Sequence, residues 1–272
     1  MPELPEVETI ANGVNRRVRG DSIVSAWFSH HREPFKTPPA AMAEALPGLR
    51  IGRVRRVGKH IVVDLTAKSA RTTSKQLLVH LGMTGRLLVT APEIPVAPHT
   101  HAILQLASGR ELRFVDPRRF GRLQFLEGAG FAGPGHEPLT ISLDDFVALF
   151  RGRKLAIKAA LLNQSLLHGV GNIYADESLF RAKIRPTRAA GRLTRESLRR
   201  LHKALQTVLQ AAIRAGGSSV SDYVDADGEA GFFQIQHKVY GRERQPCRVC
   251  GRPIRRIVLA GRGTHFCPHC QR

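Results

Sequence analysis

The stretch His101-Ala102-Ile103-Leu104-Gln105-Leu106-Ala107-Ser108-Gly109-Arg110-Glu111-Leu112-Arg113-Phe114-Val115 decides the class of fold. Two short apolar-rich runs, 101–106 and 111–115, flank Ala107-Ser108-Gly109-Arg110, which has the composition of a hairpin turn. Working outward, 23–28, 51–57, 61–65, 76–81, 86–89 and 122–126 are runs of the same length and character. Many short strands separated by turn residues predict a β-sandwich over residues 22–126. On its N-terminal side Val7, Ile10, Ala11, Val14 and Val18 recur with helical spacing, which stops at Gly20.

On the C-terminal side, 127–138 is rich in Gly and Pro and reads as a linker. The period then becomes helical. Ser142 followed by Asp145 resembles a capping box for a helix over 143–150, and further helices are expected over 154–164 and 172–182. The clearest covers 194–215, with Leu198, Leu201, Leu205, Val208, Leu209 and Ala212 on one face and Gly216-Gly217 as its stop. Residues 218–234 are polar, carry Gly228 and Gly231, and show no period; so long a loop is functional or disordered.

The 272 residues suffice for one large or two ordinary cores. Forty-two Lys and Arg against 22 Asp and Glu leave a formal charge of +20, which implies a polyanionic partner. Nucleic acid leads and an anionic membrane surface is the rival, but no run approaches the roughly 18 apolar residues of a spanning helix. No secretory leader is visible, and a soluble intracellular protein is expected.

All four cysteines fall in Cys247-x-x-Cys250 and Cys267-x-x-Cys270, with sixteen residues between the pairs. Such paired knuckles let four thiolates close tetrahedrally on one zinc ion, a closed and therefore structural site. Two disulfides are the alternative, disfavoured inside a cell. From Gln236 to the end there are nine Lys and Arg against one acid, Glu243, so the finger reads as a phosphate-facing surface.

The chain opens Met1-Pro2-Glu3-Leu4-Pro5-Glu6-Val7-Glu8-Thr9. Met1 is normally trimmed before so small a residue, leaving Pro2 as a secondary amine that titrates near ~8 beside the Glu3 carboxylate. An unprotonated amine attacks a sugar carbon or carbonyl and forms an iminium. The same residues also suit a plain helix start, with Pro in the first turn and Glu3, Glu6 and Glu8 at the positive end of the dipole.

This opening, Asp116-Pro117-Arg118-Arg119-Phe120-Gly121, Gly169-Val170-Gly171-Asn172-Ile173-Tyr174-Ala175-Asp176-Glu177 and the four-cysteine finger occur in one order over nearly the whole chain. Together they resemble the bacterial formamidopyrimidine-DNA glycosylases. The related endonuclease VIII type usually has Gly where this chain has Leu4, and the long loop before Val239-Tyr240-Gly241-Arg242 resembles the purine-specific branch. The resemblance implies an α+β protein: an N-terminal catalytic β-sandwich domain with flanking helices (1–130), a helix-two-turn-helix domain with a lesion-covering loop (131–235), and a β-hairpin zinc finger (236–272). It implies a base-excision repair glycosylase and abasic-site lyase. The enzyme flips 8-oxoguanine or a formamidopyrimidine out of double-stranded DNA and cuts by β,δ-elimination through a Schiff base. One structural zinc ion, a monomer and a bacterial cytoplasmic, nucleoid-associated location are expected.

By similarity, Pro2 is the nucleophile, Glu3 assists sugar-ring opening and Glu6 supports them. Lys59, Asn172, Arg262 in an Arg262-Gly263-Thr264 turn, and Tyr240 contact the backbone, and His99, Arg118 and Lys154 are further DNA-contacting positions. Lys158 and Glu177 lie toward the lesion. Met83, with Arg118 and Phe120, fills the hole left by the flipped base. Several of these have plainer readings. Lys59 and Arg262 read as surface cations, Asn172 as a helix N-cap, and Lys154 with Lys158 as a solvated i,i+4 pair. Glu177 reads equally as a surface acid, and Met83 and Phe120 as core residues. Ser218-Ser219 and Ser221-Asp222 depart from the family's Thr-Thr and Arg-Asp, which bears on preference among oxidised purines. An oxidised-pyrimidine enzyme, a non-catalytic nucleic-acid adaptor and an N-terminal-proline tautomerase are the competing functions. Each leaves one or more of these features unexplained.

Overall fold

The computed structural model describes residues 1–67, 75–128, 130–218 and 232–272. The chain divides into two compact units, one of Met1–Ala132 with Gly216–Gly231, the other of Gly133–Ala215 with Phe232–Arg272. The expected lesion-covering loop and the substitutions at Ser219 and Ser221 lie outside the described residues, apart from the loop's ends.

The first unit is the expected sandwich. Strands β1 (Ile23–Phe28), β6 (Thr100–Leu106), β7 (Glu111–Val115) and β5 (Arg86–Thr90) form one antiparallel sheet in the order β1-β6-β7-β5. Strands β2 (Arg50–Val57), β3 (His60–Thr66), β4 (Lys75–His80) and β8 (Arg122–Glu127) form the other, in chain order. The hairpin read from 101–115 closes where the Leu106 N–H donates to the Arg110 carbonyl at 2.9 Å, with Gly109 at φ 84°. That is a conformation glycine adopts without a Cβ penalty. Helix α1 (Leu4–Val18) lays Val7, Ile10, Ala11, Val14 and Val18 into a core that also holds Ile23, Ile51, Ile61, Val79, Leu104 and Phe114. Fully buried side chains of this kind contribute about 1.5–3 kcal/mol each. The short helix α2 (Pro39–Ala45) was not foreseen, because seven residues with one buried apolar side chain, Met42, carry too little period.

In the second unit α3 (Leu143–Phe150) starts where the Ser142 hydroxyl accepts the Asp145 N–H at 3.1 Å. Thr194 caps α6 (Arg195–Arg214) in the same way through Ser197. Helix α5 (Asn172–Ala182) matches its expected span. Helix α4 is shorter than expected, Ile157–Leu162 rather than 154–164. Leu155 and Ile157 spend backbone groups on 188–190: the Ile157 N–H donates to Arg188 and the Ala190 N–H to Leu155, so the helix cannot begin earlier. The finger's hairpin pairs β9 (Arg255–Leu259) with β10 (Arg262–Phe266) around Ala260-Gly261, both at positive φ. Arg262 therefore opens a strand, and the turn precedes it. Among the described residues no helix is long and apolar enough to cross a membrane.

Candidate active site

In the first unit Pro2 and Glu3 are buried at the start of α1, and Met1 stands exposed before them. While Met1 is attached the Pro2 nitrogen is an amide; its removal creates the secondary amine. Glu6 is the local organiser. One of its oxygens accepts the Glu3 N–H at 2.8 Å, the return arm of a capping box, and the other accepts the Ser218 N–H at 2.8 Å. The N-terminus is thereby tied to a segment more than two hundred residues away in sequence.

The turn Gly58-Lys59 between β2 and β3 is held to the same helix. The Arg56 side chain donates to Glu8 at 2.6 Å and to the Gly58 carbonyl at 3.3 Å, and Lys59 beside it is half-buried. Burial, aided by the charges of His60, Lys59 and Arg122, pulls the His80 imidazole down to about 4. It is a neutral acceptor at neutral pH, and its Nδ1 takes the Gly82 N–H at 3.2 Å.

Met83 is 42% exposed and Phe120 50%, so neither is a core residue. The Arg118 guanidinium lies 4.7 Å from the centre of the Phe120 ring, a cation–π contact. His99 is exposed at φ 65° and its carbonyl accepts the Asp116 N–H at 3.0 Å.

In the second unit Lys154 is exposed in the loop before α4, while Lys158 has no solvent exposure. The reading of these two as a solvated pair on one helix face is wrong, because one of them precedes the helix and the other points into the core. Lys158 Nζ lies 2.7 Å from Asp176 Oδ1 and donates to the Gly263 carbonyl and Thr264 Oγ1, each at 2.9 Å. Asp176 Oδ2 accepts the His265 N–H at 2.8 Å. Asn172 is the first residue of α5, with Gly171 as the cap, and its side-chain amide donates to the Gly263 carbonyl at 2.9 Å. Its Oδ1 is buried without a hydrogen-bond partner among the described residues. Strand β10 is thus pinned to α4 and α5 directly behind Arg262, which is exposed.

Glu177 is not a surface acid. It is buried and accepts the backbone N–H groups of Lys238, Val239 and Tyr240 at 2.8 to 3.0 Å. Burial pushes its carboxyl upward, the three amides oppose that, and the neighbouring Asp176 charge adds to the rise. Tyr240 is held between His237 and His265, with ring centroids 5.6 and 5.2 Å away.

The four cysteine sulfurs lie within 4.8 Å of one another, with Cys247 to Cys270 at 3.9 Å and Cys250 to Cys267 at 3.5 Å. Tetrahedral zinc with bonds near 2.3 Å separates its sulfurs by about 3.8 Å, so the cluster fits one ion. The Arg252 backbone N–H holds the Cys250 thiol down to about 7, whereas burial pushes Cys267 and Cys270 up. A zinc ion bound here would hold all four as thiolates.

Asp176, Thr264, Arg56 and Asp116 were not singled out from sequence. Asp176 sits inside a quoted motif, but only the burial of α5 on nearly every side shows that its charge has a partner in the core.

Three family models match the chain: the formamidopyrimidine-DNA glycosylase N-terminal domain over residues 1–123, the formamidopyrimidine-DNA glycosylase H2TH domain over 134–224, and the zinc finger found in FPG and IleRS over 244–272. The formamidopyrimidine-DNA glycosylase of Solibacter usitatus is 45% identical over the whole of both chains, and that of Thioalkalivibrio sulfidiphilus 44%. The MutM (Fpg) crystal structure from Thermus thermophilus superposes with a TM-score of 0.85 at 42% identity, covering 99% of this chain and 98% of that one. A Lactococcus lactis FPG mutant in complex with Fapy-dG-containing DNA gives 0.90 at 32% identity over all of both chains.

Proposed function

The chain belongs to the formamidopyrimidine-DNA glycosylase family, DNA glycosylases that excise oxidised purines in base-excision repair, and on that premise we propose how its residues share the work. Pro2, freed of Met1, attacks C1′ of the damaged nucleoside as the glycosidic bond breaks and the base departs. Glu3 delivers a proton to the sugar oxygen so that the ring opens to an iminium on the Pro2 nitrogen. Loss of a proton next to that iminium expels the 3′ phosphate, a second elimination expels the 5′ phosphate, and a one-nucleoside gap remains. Glu6 supports the pair by fixing the backbone of Glu3.

Lys59, His99, Arg118, Lys154, Asn172, Tyr240 and Arg262 hold the phosphate backbone of double-stranded DNA, which sets register and carries no base identity. Met83, Arg118 and Phe120 fill the stack where the base has left. Lys158 and Glu177, being buried, act through what they hold: the strand that carries Arg262 and the backbone of Tyr240. Zinc keeps the finger folded and takes no part in the chemistry. We further propose that the enzyme works as a monomer on nucleoid DNA in a bacterial cytoplasm.

The observation that carries the mechanism is the buried, doubly anchored Pro2-Glu3-Glu6 start of α1. Borohydride reduction during turnover on an 8-oxoguanine duplex should link protein to DNA irreversibly. Peptide mapping should place the link at the N-terminal residue, with Met1 absent. Pro2→Gly should sharply weaken trapping, while Glu3→Gln should impair excision yet still nick a pre-formed abasic site. Attachment at any lysine sinks the mechanism.

A further inference from the structure

Asp116 follows β7, is fully buried, and is surrounded by donors. Its Oδ1 accepts the Thr84 hydroxyl at 2.6 Å and the Arg118 N–H at 3.3 Å, and its Oδ2 accepts the Gly121 N–H at 2.7 Å. Its own N–H goes to the His99 carbonyl, and its carbonyl receives His101 Nε2, each at 3.0 Å. Because a carbonyl only accepts, that contact places the His101 proton on Nε2, and Nδ1 takes the Ser29 hydroxyl at 3.0 Å. The carboxylate thus joins two chain segments: the turn at 81–85, which carries Met83, and the turn at 116–121, which carries Arg118 and Phe120.

The backbones of these segments also touch. A Cβ on Gly82 would sit 2.5 Å from the Gly121 nitrogen and the Phe120 carbonyl carbon, and one on Gly121 would sit 2.6 Å from the Phe114 ring. No side chain fits between the two turns, which pack backbone against backbone at Gly82 and Gly121. Above this base Met83 and Phe120 stand in solvent rather than folding inward.

We propose that Asp116 and Thr84 are a positioning pair that locks the Met83 turn to the Arg118–Phe120 turn, so that the three side chains enter the DNA stack as one rigid wedge. The inference rests on the reading above that these three side chains fill the stack. A carboxylate is required because its two oxygens face three donors; an amide in its place would turn an NH2 toward at least one of them.

Thr84→Val keeps the shape and deletes the hydroxyl, Thr84→Ser restores it, and Asp116→Asn keeps the size of the side chain. Each, with Met83→Ala as reference, is assayed in three ways: single-turnover excision of 8-oxoguanine from a fully paired duplex, cleavage of a pre-formed abasic site in the same duplex, and stopped-flow fluorescence of 2-aminopurine beside the lesion. Thr84→Val and Asp116→Asn should slow excision and the fluorescence rise about tenfold, the scale of one lost hydrogen bond to a charged group. Abasic-site cleavage, which begins from an already unstacked nucleotide, should stay within about twofold, and Thr84→Ser should match the parent. If Met83→Ala slows excision and the Thr84 and Asp116 variants do not, the locking is refuted and the wedge stands. If Met83→Ala leaves excision unchanged, the wedge reading itself fails. Equal slowing of excision and abasic cleavage by Thr84→Val, or no recovery in Thr84→Ser, shows a merely structural role and overturns the proposal.

Discussion

Replacing Lys158 by Met tests whether a buried ion pair holds the finger's hairpin in place. The ammonium donates to the Gly263 carbonyl and the Thr264 hydroxyl and is ion-paired with Asp176, and neither Lys158 nor Asp176 reaches solvent. Met fills a similar volume but leaves the Asp176 carboxylate without its cation. The Gly263 carbonyl keeps Asn172, and Asp176 keeps the His265 N–H, so the loss is chiefly the uncompensated charge. Breaking one side of a buried pair costs about 3–5 kcal/mol, a large share of the roughly 5–15 kcal/mol that keeps a protein folded. At about 2–4 °C per kcal/mol, the melting temperature should fall by about 6–20 °C. The assay is thermal unfolding by circular dichroism, with zinc release followed by a chromophoric chelator. Lys158→Met should release zinc at lower temperature and cleave lesion DNA poorly, because β10 carries Arg262. The double variant Lys158→Met/Asp176→Asn removes the stranded charge and should recover at least about half of the loss. A shift below about 2 °C for the single variant, or no recovery in the double, refutes the argument.

Burial also makes stability depend on pH. His80 and His237 both lie near 4 when folded, each mainly through burial, against 6.5 ordinarily; the unfolded chain therefore binds more protons between those values. Their contribution is complete above pH 6.5 and is lost as pH falls toward 4, by up to about 3 kcal/mol for each. Denaturant titrations at pH 7, 5.5 and 4.5 should show the decline. His80→Asn, which keeps an acceptor for the Gly82 N–H, should flatten it by about one proton; an unchanged slope contradicts the assignment. At the finger, zinc chelation or Cys247→Ser should unfold the hairpin and abolish DNA cleavage. Arg262→Ala should keep zinc and lose most lesion binding and cleavage, and normal turnover of that variant would remove Arg262 from its assigned role.

The elements of this protein were largely legible in its sequence because they depend on local pattern. The 101–115 hairpin, α5 over Asn172–Ala182, the Ser142 cap, and the four-cysteine knuckles are each set by residues within one or two turns of chain. The candidate site residues were likewise named from motifs, but what each side chain faces was not available there. Lys154 and Lys158 are four apart and look alike, yet pairing of the backbone at 155–157 with 188–190 delays the helix, leaving one lysine in solvent and the other in the core. Glu177 has the composition of a surface acid until Lys238, Val239 and Tyr240 bring their amides to it from sixty residues away. Asp116 and Thr84, thirty-two residues apart, and Glu6 and Ser218, more than two hundred apart, meet only through tertiary structure. Local sequence sets backbone torsions and which faces are apolar. Whether a charged group is buried, and which donor satisfies it, depends on chain segments that only folding brings within hydrogen-bond reach.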